Sequence, residues 1–219
     1  MTDTYATRVA DLKAGVAAQL PAEILGVFAD EQAKLAAAGL TANVAPIGTV
    51  LPEADLLDAH GKPTTLTGAL GSRPTVLVFY RGAWCPFCNL ALRTYQEQLV
   101  PALTEKGIGF AAISPQKPDG SLSMAETNEL TFPVLSDPGN TVAAALGVLS
   151  LERDQSMRDA TGQLGLDVAA VNADGTDRLP MPTTAVVDAN GTLTWIDVHP
   201  DYTERTEPAA ILAAVANLA

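Results

Sequence analysis

Cys85 and Cys88 are the only two cysteines in the chain, and two residues, Pro86 and Phe87, separate them. The thiolate is the nucleophilic form of cysteine, and its pKa falls at a helix start, where backbone N–H groups are unpaired and the helix dipole is positive. An apolar run precedes the pair and an amphipathic stretch follows it, which predicts a strand, a tight loop and a helix beginning at Cys85. This spacing predicts a redox-active dithiol that can close a small disulfide.

Two other interpretations of the pair are weaker. A purely structural disulfide would close a four-residue ring, which constrains the unfolded chain very little. A zinc site normally needs four ligands, but the pair supplies two, and His60 and His199 lie far away in the sequence. We therefore expect no metal, and an inert cysteine pair stays the main alternative to a redox pair.

The segment Val76 to Cys88, which ends Phe-Tyr-Arg-Gly-Ala-Trp-Cys-Pro-Phe-Cys, resembles the thioredoxin superfamily. More closely, it resembles the peroxiredoxin-like proteins of the alkyl hydroperoxide reductase/thiol-specific antioxidant group, from about Ala45 to the C-terminus. The resemblance implies an α/β, thioredoxin-like fold with a central mixed sheet flanked by helices. It also implies that Cys85 reduces a hydroperoxide or disulfide, that Cys88 resolves the intermediate, and that thioredoxin or a low-molecular-weight thiol restores the pair. Because the sequence contains no nucleotide-binding glycine fingerprint, no cofactor is expected.

The sequence departs from this group at three positions. Typical peroxiredoxins have Pro-x-x-x-Thr/Ser-x-x-Cys, whereas Val78 stands at the Pro position and Gly82 at the Thr position. Their usual Arg, shortly before a late strand, is replaced by Pro182. We expect Arg81 to substitute for these donors, which makes Cys85, Cys88 and Arg81 the predicted catalytic residues.

A second motif, Met181-Pro182-Thr183, resembles the thioredoxin-fold loop that carries a cis-proline and faces the cysteines. A cis bond before proline costs only about 0.5–1 kcal/mol. Such a loop leaves backbone groups of Met181 free to pair with an extended substrate. Together with Trp84, an apolar platform beside the nucleophile, and Pro86, these residues form the predicted substrate-binding set. An ordinary turn proline and simple packing of Trp84 are the alternatives.

A polar segment, His199 to Arg205, resembles one that often follows the last strand in this branch of the group. We expect His199, Asp201 and Arg205 to form a local hydrogen-bonded cluster that fixes the final helix, and a catalytic role is the alternative.

The charge and composition exclude several classes of partner. The net charge is −12, which argues against nucleic acid and against anionic membranes. No segment approaches the roughly 20 apolar residues of a membrane span. The N-terminus has neither a basic region nor an apolar core, so we expect no signal peptide and a cytoplasmic location, where a reducing environment keeps the dithiol cycling.

The periodicity predicts an N-terminal helical extension, residues 1–44, followed by a redoxin domain, residues 45–219. In the extension, helices over Thr4–Leu20 and Ala22–Ala38 form a hairpin that is a strap over the core, or else a lid or a homodimer contact. In the redoxin domain we expect a β-hairpin turning at Gly61 and a parallel βαβ unit, then a ββα unit. An insertion at about 150–179 carries one short helix and either shapes a substrate mouth or is a surface excursion. The predicted elements of the domain are strands over 75–80, 108–113, 132–135, 185–188 and 192–198, and helices over 89–103, 120–130, 140–146 and 155–161, with a final helix from 208.

Three functions compete at this point. The first is a thiol-dependent peroxidase and the second is a thioredoxin-like dithiol–disulfide exchanger. The third is a non-enzymatic binding protein that acts through the N-terminal helices. For either redox function we expect Cys85 to be the low-pKa, solvent-accessible thiol and Cys88 the inward thiol of higher pKa.

Overall fold

A seven-stranded mixed sheet with the order β2-β1-β5-β4-β3-β6-β7 lies at the centre of the molecule. The computed structural model describes residues 4–216 and residue 218. Strand β3 is parallel to β4, and β4 to β5, while β1 and β6 join the sheet antiparallel. The expected thioredoxin-like class, a mixed sheet flanked by helices, is confirmed. The strands are β1 Asp55–Leu57, β2 Pro63–Thr65, β3 Thr75–Phe79, β4 Gly109–Ser114, β5 Val134–Ser136, β6 Thr183–Val187 and β7 Leu193–Val198.

The helices agree with the predicted order but differ from it in three places. A short helix that was not predicted, Leu66–Leu70, follows β2. The stretch predicted as one helix over 89–103 is two helices, because Pro101 has no N–H with which to continue the first. A second short helix in the predicted insertion, α9, begins at Asp167, whose carboxylate accepts the N–H of Ala170 over 3.2 Å. The helices are α1 Tyr5–Gln19, α2 Ala22–Ala37, α3 Leu66–Leu70, α4 Pro86–Gln98, α5 Val100–Glu105, α6 Pro118–Thr127, α7 Thr141–Ala145, α8 Gln155–Gln163, α9 Val168–Val171 and α10 Pro208–Ala214.

Successive side chains of the central strands point alternately into two cores, one on each face of the sheet. In β3, Val76 and Val78 face the core that contains α4, while Leu77 and Phe79 face the opposite core. All five residues of β3 are buried, as expected for a strand covered on both faces. β3 therefore ends inside a core that is covered on both faces, and the loop that carries the cysteines begins there.

The two predicted N-terminal helices form, but they do not pack on each other as the expected hairpin. The main contacts of α1 are with α4, and those of α2 are with α8. The reason is that each helix has its apolar side chains aimed at a different neighbour: Tyr5 of α1 is buried in the core around α4, while Ile24 and Leu35 of α2 are buried separately. The two helices diverge and leave a gap between them.

Candidate active site

Cys85 is the N-cap residue of α4, directly after the loop that leaves β3, and Cys88 lies in the first turn of that helix. Pro86 occupies the first helical position, where its missing N–H costs nothing. Both thiols are reduced and buried, with 1% of Cys85 and none of Cys88 exposed. The expectation of a solvent-accessible Cys85 is wrong. The reason is that α1, α2 and the segment 201–203 cover the loop and leave Cys85 in the wall of a groove.

Arg205 lies inside the site and contacts Cys88. Its Nη2 donates a hydrogen bond to the Cys88 sulfur over 3.1 Å. Its Nη1 donates to the carbonyl oxygens of Tyr202, over 2.8 Å, and Glu204, over 2.5 Å, which fixes the plane of the guanidinium. The sequence favoured a structural role for Arg205 over a catalytic one, because no spacing rule connects it with a cysteine so far away in the chain.

The pKa values of the two thiols are shifted in the directions opposite to those predicted. Burial works against an ionised Cys88, but the hydrogen bond from Cys85 and the charge of Arg205 prevail and lower its pKa to about 5. Burial raises the pKa of Cys85, and the hydrogen bond that it gives to Cys88 raises it further. In the reduced site one proton therefore lies on Cys85 and the negative charge on Cys88. The expected low-pKa Cys85 is wrong, because the sequence could not place Arg205 beside Cys88.

The loop between β3 and α4 is held closed by side chains from elsewhere. The Gln116 side-chain oxygen accepts the N–H of Ala83 over 2.6 Å. A Cβ at Gly82 would overlap the Trp84 indole and would lie 2.9 Å from the Gln116 oxygen, and the φ of Gly82 is +154°. The glycine that replaces the usual threonine is therefore required by the packing of Trp84 and Gln116.

A second set of amides fixes the start of α4. The Asn89 side chain donates to the carbonyl oxygens of Ala83, over 2.7 Å, and Cys85, over 3.0 Å. Its oxygen in turn accepts from Asn128 over 2.8 Å, and Asn128 accepts from Arg93 over 3.1 Å. These hydrogen bonds hold the nucleophile loop and the helix as one rigid unit.

Arg81 and Trp84 lie together on the groove side of the site. The Arg81 guanidinium lies 5.0 Å from the centre of the Trp84 ring and 4.2 Å from that of Tyr202, a cation–π arrangement. Arg81, Trp84 and Pro86 all line the groove in which Cys85 lies. The buried indole N–H of Trp84 has no hydrogen-bond partner among the described residues. It lies against Gly82, since a Cβ added there would overlap the indole nitrogen.

The loop Met181-Pro182-Thr183 differs from its predicted form. No peptide bond among the described residues is cis, so the predicted cis bond at Pro182 is wrong. The N–H of Met181 donates to Val148 over 2.8 Å, and its carbonyl oxygen accepts from the Thr183 hydroxyl over 2.9 Å. Met181 itself is buried in the core on the opposite face of the sheet. Since both backbone groups of Met181 are already paired, this loop does not offer the predicted edge for strand addition.

The predicted cluster of His199, Asp201 and Arg205 does not form. His199 contacts Asp197 over 3.0 Å, while Asp201 accepts from Gln32 of α2 over 2.8 Å. The three side chains point to three different partners, because the segment crosses from the sheet edge over α4. His60 is exposed in the turn between β1 and β2.

Within residues 4–216, no group of three or more His, Cys, Asp or Glu side chains is placed to hold a metal ion. In the same range, no helix is long and apolar enough to cross a bilayer.

A sheet of this topology, with a Cys-x-x-Cys pair at the start of the helix after its central strand, defines a thioredoxin-fold thiol protein. More specifically, the chain belongs to the AhpC/TSA family, whose model matches residues 47–196. The resemblance noted in the sequence is thereby confirmed.

Curated relatives agree with this assignment. The putative peroxiredoxin Rv2521 of Mycobacterium tuberculosis is 33% identical over 100 residues, which are 46% of this chain and 62% of the relative. Peroxiredoxin Bcp of Escherichia coli is 32% identical over 104 residues, which are 46% of this chain and 64% of that protein. The chain thus matches a little under two thirds of the length of each of these relatives.

Solved structures show the same fold. Peroxidoxin BcpB from Mycobacterium tuberculosis superposes with a TM-score of 0.59 at 23% identity, covering 78% of this chain and 95% of that one. A peroxiredoxin-like protein from Aquifex aeolicus superposes with a TM-score of 0.61 at 16% identity, covering 80% and 91% of the two chains.

Proposed function

We propose that this protein is a thiol-dependent peroxidase in which Cys85 attacks a hydroperoxide and Cys88 first holds the proton and then resolves the intermediate. The observation that carries the proposal is the hydrogen bond from Arg205 to Cys88, 3.1 Å long, beside a protonated Cys85 in the wall of a groove. Membership of the AhpC/TSA family supports it.

In the first step the Cys88 thiolate accepts the proton of Cys85, to which it is hydrogen-bonded. The Cys85 sulfur attacks the terminal oxygen of the hydroperoxide, a sulfur–oxygen bond forms and the O–O bond breaks. The departing alkoxide takes the proton from Cys88 and leaves as an alcohol. Cys85 is then a sulfenic acid, and Cys88 is again a thiolate beside Arg205.

In the second step the Cys88 thiolate attacks the Cys85 sulfenic sulfur. The sulfur–oxygen bond breaks, hydroxide leaves and is protonated to water, and a disulfide joins the two residues. A thioredoxin or a low-molecular-weight thiol then reduces this disulfide by thiol–disulfide exchange. Arg205 acts in both steps, because it stabilises the thiolate that serves first as base and later as nucleophile.

Arg81 is the donor that lines the groove with Cys85, where the oxygen acquires charge when the O–O bond breaks, and such a donor lowers the barrier when it is already in place. In this proposal Arg81 stabilises the charge that the threonine and arginine stabilise in typical peroxiredoxins. Disulfide exchange with a protein substrate is less favoured, because Cys85 is only 1% exposed.

The test compares Cys85→Ser and Cys88→Ser with the wild type in a peroxide-consumption assay with dithiothreitol as the reductant. We expect Cys85→Ser to abolish turnover. We expect Cys88→Ser to accumulate a sulfenic acid on Cys85, which dimedone labels and mass spectrometry detects. Thr94→Ser, which also places a serine on α4 but away from the cysteine pair, is the matched control. Sustained turnover by Cys85→Ser, or a label on Cys88 and not on Cys85 in the wild type, would contradict the proposal.

A further inference from the structure

The residues on either side of Arg205 are neither helix nor strand, so their conformation depends on hydrogen bonds from other parts of the molecule. Two of these bonds come from tyrosines. The hydroxyl of Tyr5 donates to the carbonyl oxygen of Thr203 over 2.8 Å. The hydroxyl of Tyr95 donates to the carbonyl oxygen of Thr206 over 2.7 Å. Arg205 therefore lies between two backbone carbonyls that are each held by a side chain from outside its segment.

Both tyrosines are buried too deeply for water to take the place of their hydroxyls, because 2% of Tyr5 and none of Tyr95 is exposed. A buried carbonyl that loses its donor costs free energy, and the chain around it shifts to find another. Tyr95 belongs to α4, the helix that begins at the cysteine pair, whereas Tyr5 is the first residue of α1. The Arg205 segment is thus fastened to two different helices.

Tyr5 and Arg205 lie on opposite sides of the common domain, which is the family match at residues 47–196. The fold brings them together beside Cys88, whose sulfur accepts the Arg205 hydrogen bond over 3.1 Å. Burial raises the pKa of Tyr5, so its hydroxyl keeps its proton and remains a donor at neutral pH. The contact of Arg205 with the sulfur is therefore supported from a helix that precedes the common domain.

We propose that Tyr5 is a positioning residue for the reaction of the cysteine pair: its hydroxyl holds the segment that aims the Arg205 guanidinium at the sulfur of Cys88. Tyr95 acts in the same way from α4. This inference rests on the proposed peroxidase function, in which the Cys88 thiolate is first the base and then the nucleophile. It goes beyond that function because it assigns part of the stability of the thiolate to the N-terminal extension.

The first experiment is Tyr5→Phe in the full-length, reduced protein, which removes the hydroxyl and keeps the ring in the core. With the Thr203 carbonyl released, the hydrogen bond from Arg205 to the sulfur should lengthen. The pKa of Cys88, about 5 in the wild type, should then rise by about 0.5–1, which is about three- to tenfold in its acid dissociation constant. Thiolate absorbance at 240 nm between pH 3.5 and pH 8 measures the shift, and circular dichroism confirms the fold. An unchanged titration in the folded variant would overturn the inference.

This titration reports Cys88 because the groups around it do not ionise in the same range. Arg81 and Arg205 keep their charges. Burial raises the pKa of Tyr80 to about 12 and raises that of Cys85 well above its ordinary value. Neither the phenols nor the second thiol therefore contributes to the absorbance change below pH 8.

A double variant tests whether Tyr5 acts through Arg205. When Tyr5→Phe is added to Arg205→Gln, the titration should match that of Arg205→Gln alone, because the hydroxyl no longer has a guanidinium to position. An equal shift with and without Arg205 would show that the hydroxyl acts directly on the sulfur, which would rule out a positioning role. Tyr95→Phe should raise the pKa of Cys88 as Tyr5→Phe does, and an unchanged titration would remove Tyr95 from the inference.

Leu12→Ala is the matched control for a general loosening of α1. Leu12 packs on the core around α4 from the same helix as Tyr5 but has no polar group that could hold the Arg205 segment. It should lower the urea midpoint and leave the pKa of Cys88 unchanged, and a shift as large as that of Tyr5→Phe would contradict a specific role for the hydroxyl. The two proposals fail separately: a shift in Arg205→Gln but not in Tyr5→Phe would overturn the positioning role alone, whereas the expected shifts in a protein that consumes no peroxide would overturn the peroxidase function.

Discussion

The guanidinium of Arg205 donates a hydrogen bond to the sulfur of Cys88, 117 residues away in the sequence, and both side chains are buried. Arginine keeps its charge under all ordinary conditions, so the site contains a fixed positive charge beside the second cysteine. A buried charge is tolerated only when it is paired, and here the partner is a thiolate. In the reduced protein the positive charge of Arg205 is therefore paired with the Cys88 thiolate.

Replacing Arg205 by glutamine should raise the pKa of the Cys88 thiolate, because the charge and its hydrogen bond are lost together. A hydrogen bond to a charged group is worth about 1.5–3 kcal/mol, which corresponds to a pKa higher by about 1–2. Thiolate absorbance at 240 nm, followed against pH in the reduced protein, measures the change. Peroxide consumption at neutral pH should fall in parallel.

Two further variants make this prediction specific. Arg205→Lys keeps the charge and should recover part of the thiolate, while Arg93→Gln removes an arginine that contacts Asn128 and no sulfur. We expect the titration of Arg93→Gln to match the wild type. A titration unchanged in Arg205→Gln would show that the helix start alone stabilises the thiolate.

The reduced pair should make the stability of the protein depend on pH. The folded pKa of Cys88 is about 5, below its ordinary value of 9.0, so its contribution is fully present above pH 9 and is lost as the pH falls towards 5. The folded pKa of Cys85 is raised above 9.0, so its contribution is present below pH 9 and is lost as the pH rises further. The two together favour the folded state most near pH 9.

The measurement is the free energy of unfolding of the reduced wild type minus that of Cys85→Ser/Cys88→Ser, by urea titration between pH 5 and pH 10. Because both proteins share every other titrating group, the difference isolates the cysteine pair. We expect the difference to increase from pH 5 to pH 9. A difference that is flat from pH 5 to pH 9 would mean that the pKa of Cys88 is not lowered in the folded protein.

The sequence predicts the scaffold of this site better than its chemistry. The strand before Cys85 is a continuous apolar run, and Pro86 marks the start of α4, so local pattern is sufficient for both. Arg205 and Gln116 come from distant segments, and only the three-dimensional fold brings them to the cysteine loop. The burial of Cys85 was unpredictable for the same reason, since it depends on helices that precede the common domain.

Restoring a side chain at Gly82 should damage the protein. Gly82→Ala forces a left-handed φ on a residue with a Cβ, at a cost of about 1–3 kcal/mol, and it pushes against Trp84 and Gln116. We expect a lower urea midpoint and lower peroxidase activity. Gly15→Ala is the matched control, because it lies inside α1 with open space around it and should stabilise by about 0.5–1 kcal/mol. If Gly82→Ala were stabilising like Gly15→Ala, the loop between β3 and α4 would have a conformation without the positive φ at Gly82.

Glu207 should anchor the N-terminal helix to the segment that carries Arg205. Its two carboxylate oxygens accept the N–H groups of Tyr5, over 3.1 Å, and Ala6, over 2.8 Å, at the positive end of α1. Glu207→Ala should lower the free energy of unfolding by about 0.5–2 kcal/mol, as for loss of a helix cap. It should also speed amide exchange in α1.

Glu105→Ala, at an exposed end of α5, is the control and should change the free energy of unfolding by no more than about 0.5 kcal/mol. Similar losses in both variants would contradict an anchoring role.

Arg81 should assist peroxide reduction more than disulfide exchange. An alkoxide that leaves from the O–O bond needs a donor in place, whereas a thiolate leaving from a disulfide needs less help. Arg81 lines the groove with Cys85, and loss of one such donor typically costs a factor of about 10²–10³ in rate. Stopped-flow Trp fluorescence of Arg81→Ala, mixed with hydrogen peroxide and separately with a small disulfide, measures the two reactions, and Arg81→Lys keeps the charge as a control. Equal losses in the two reactions would instead mean that Arg81 acts by holding Trp84 and Tyr202, the rings on which its guanidinium lies.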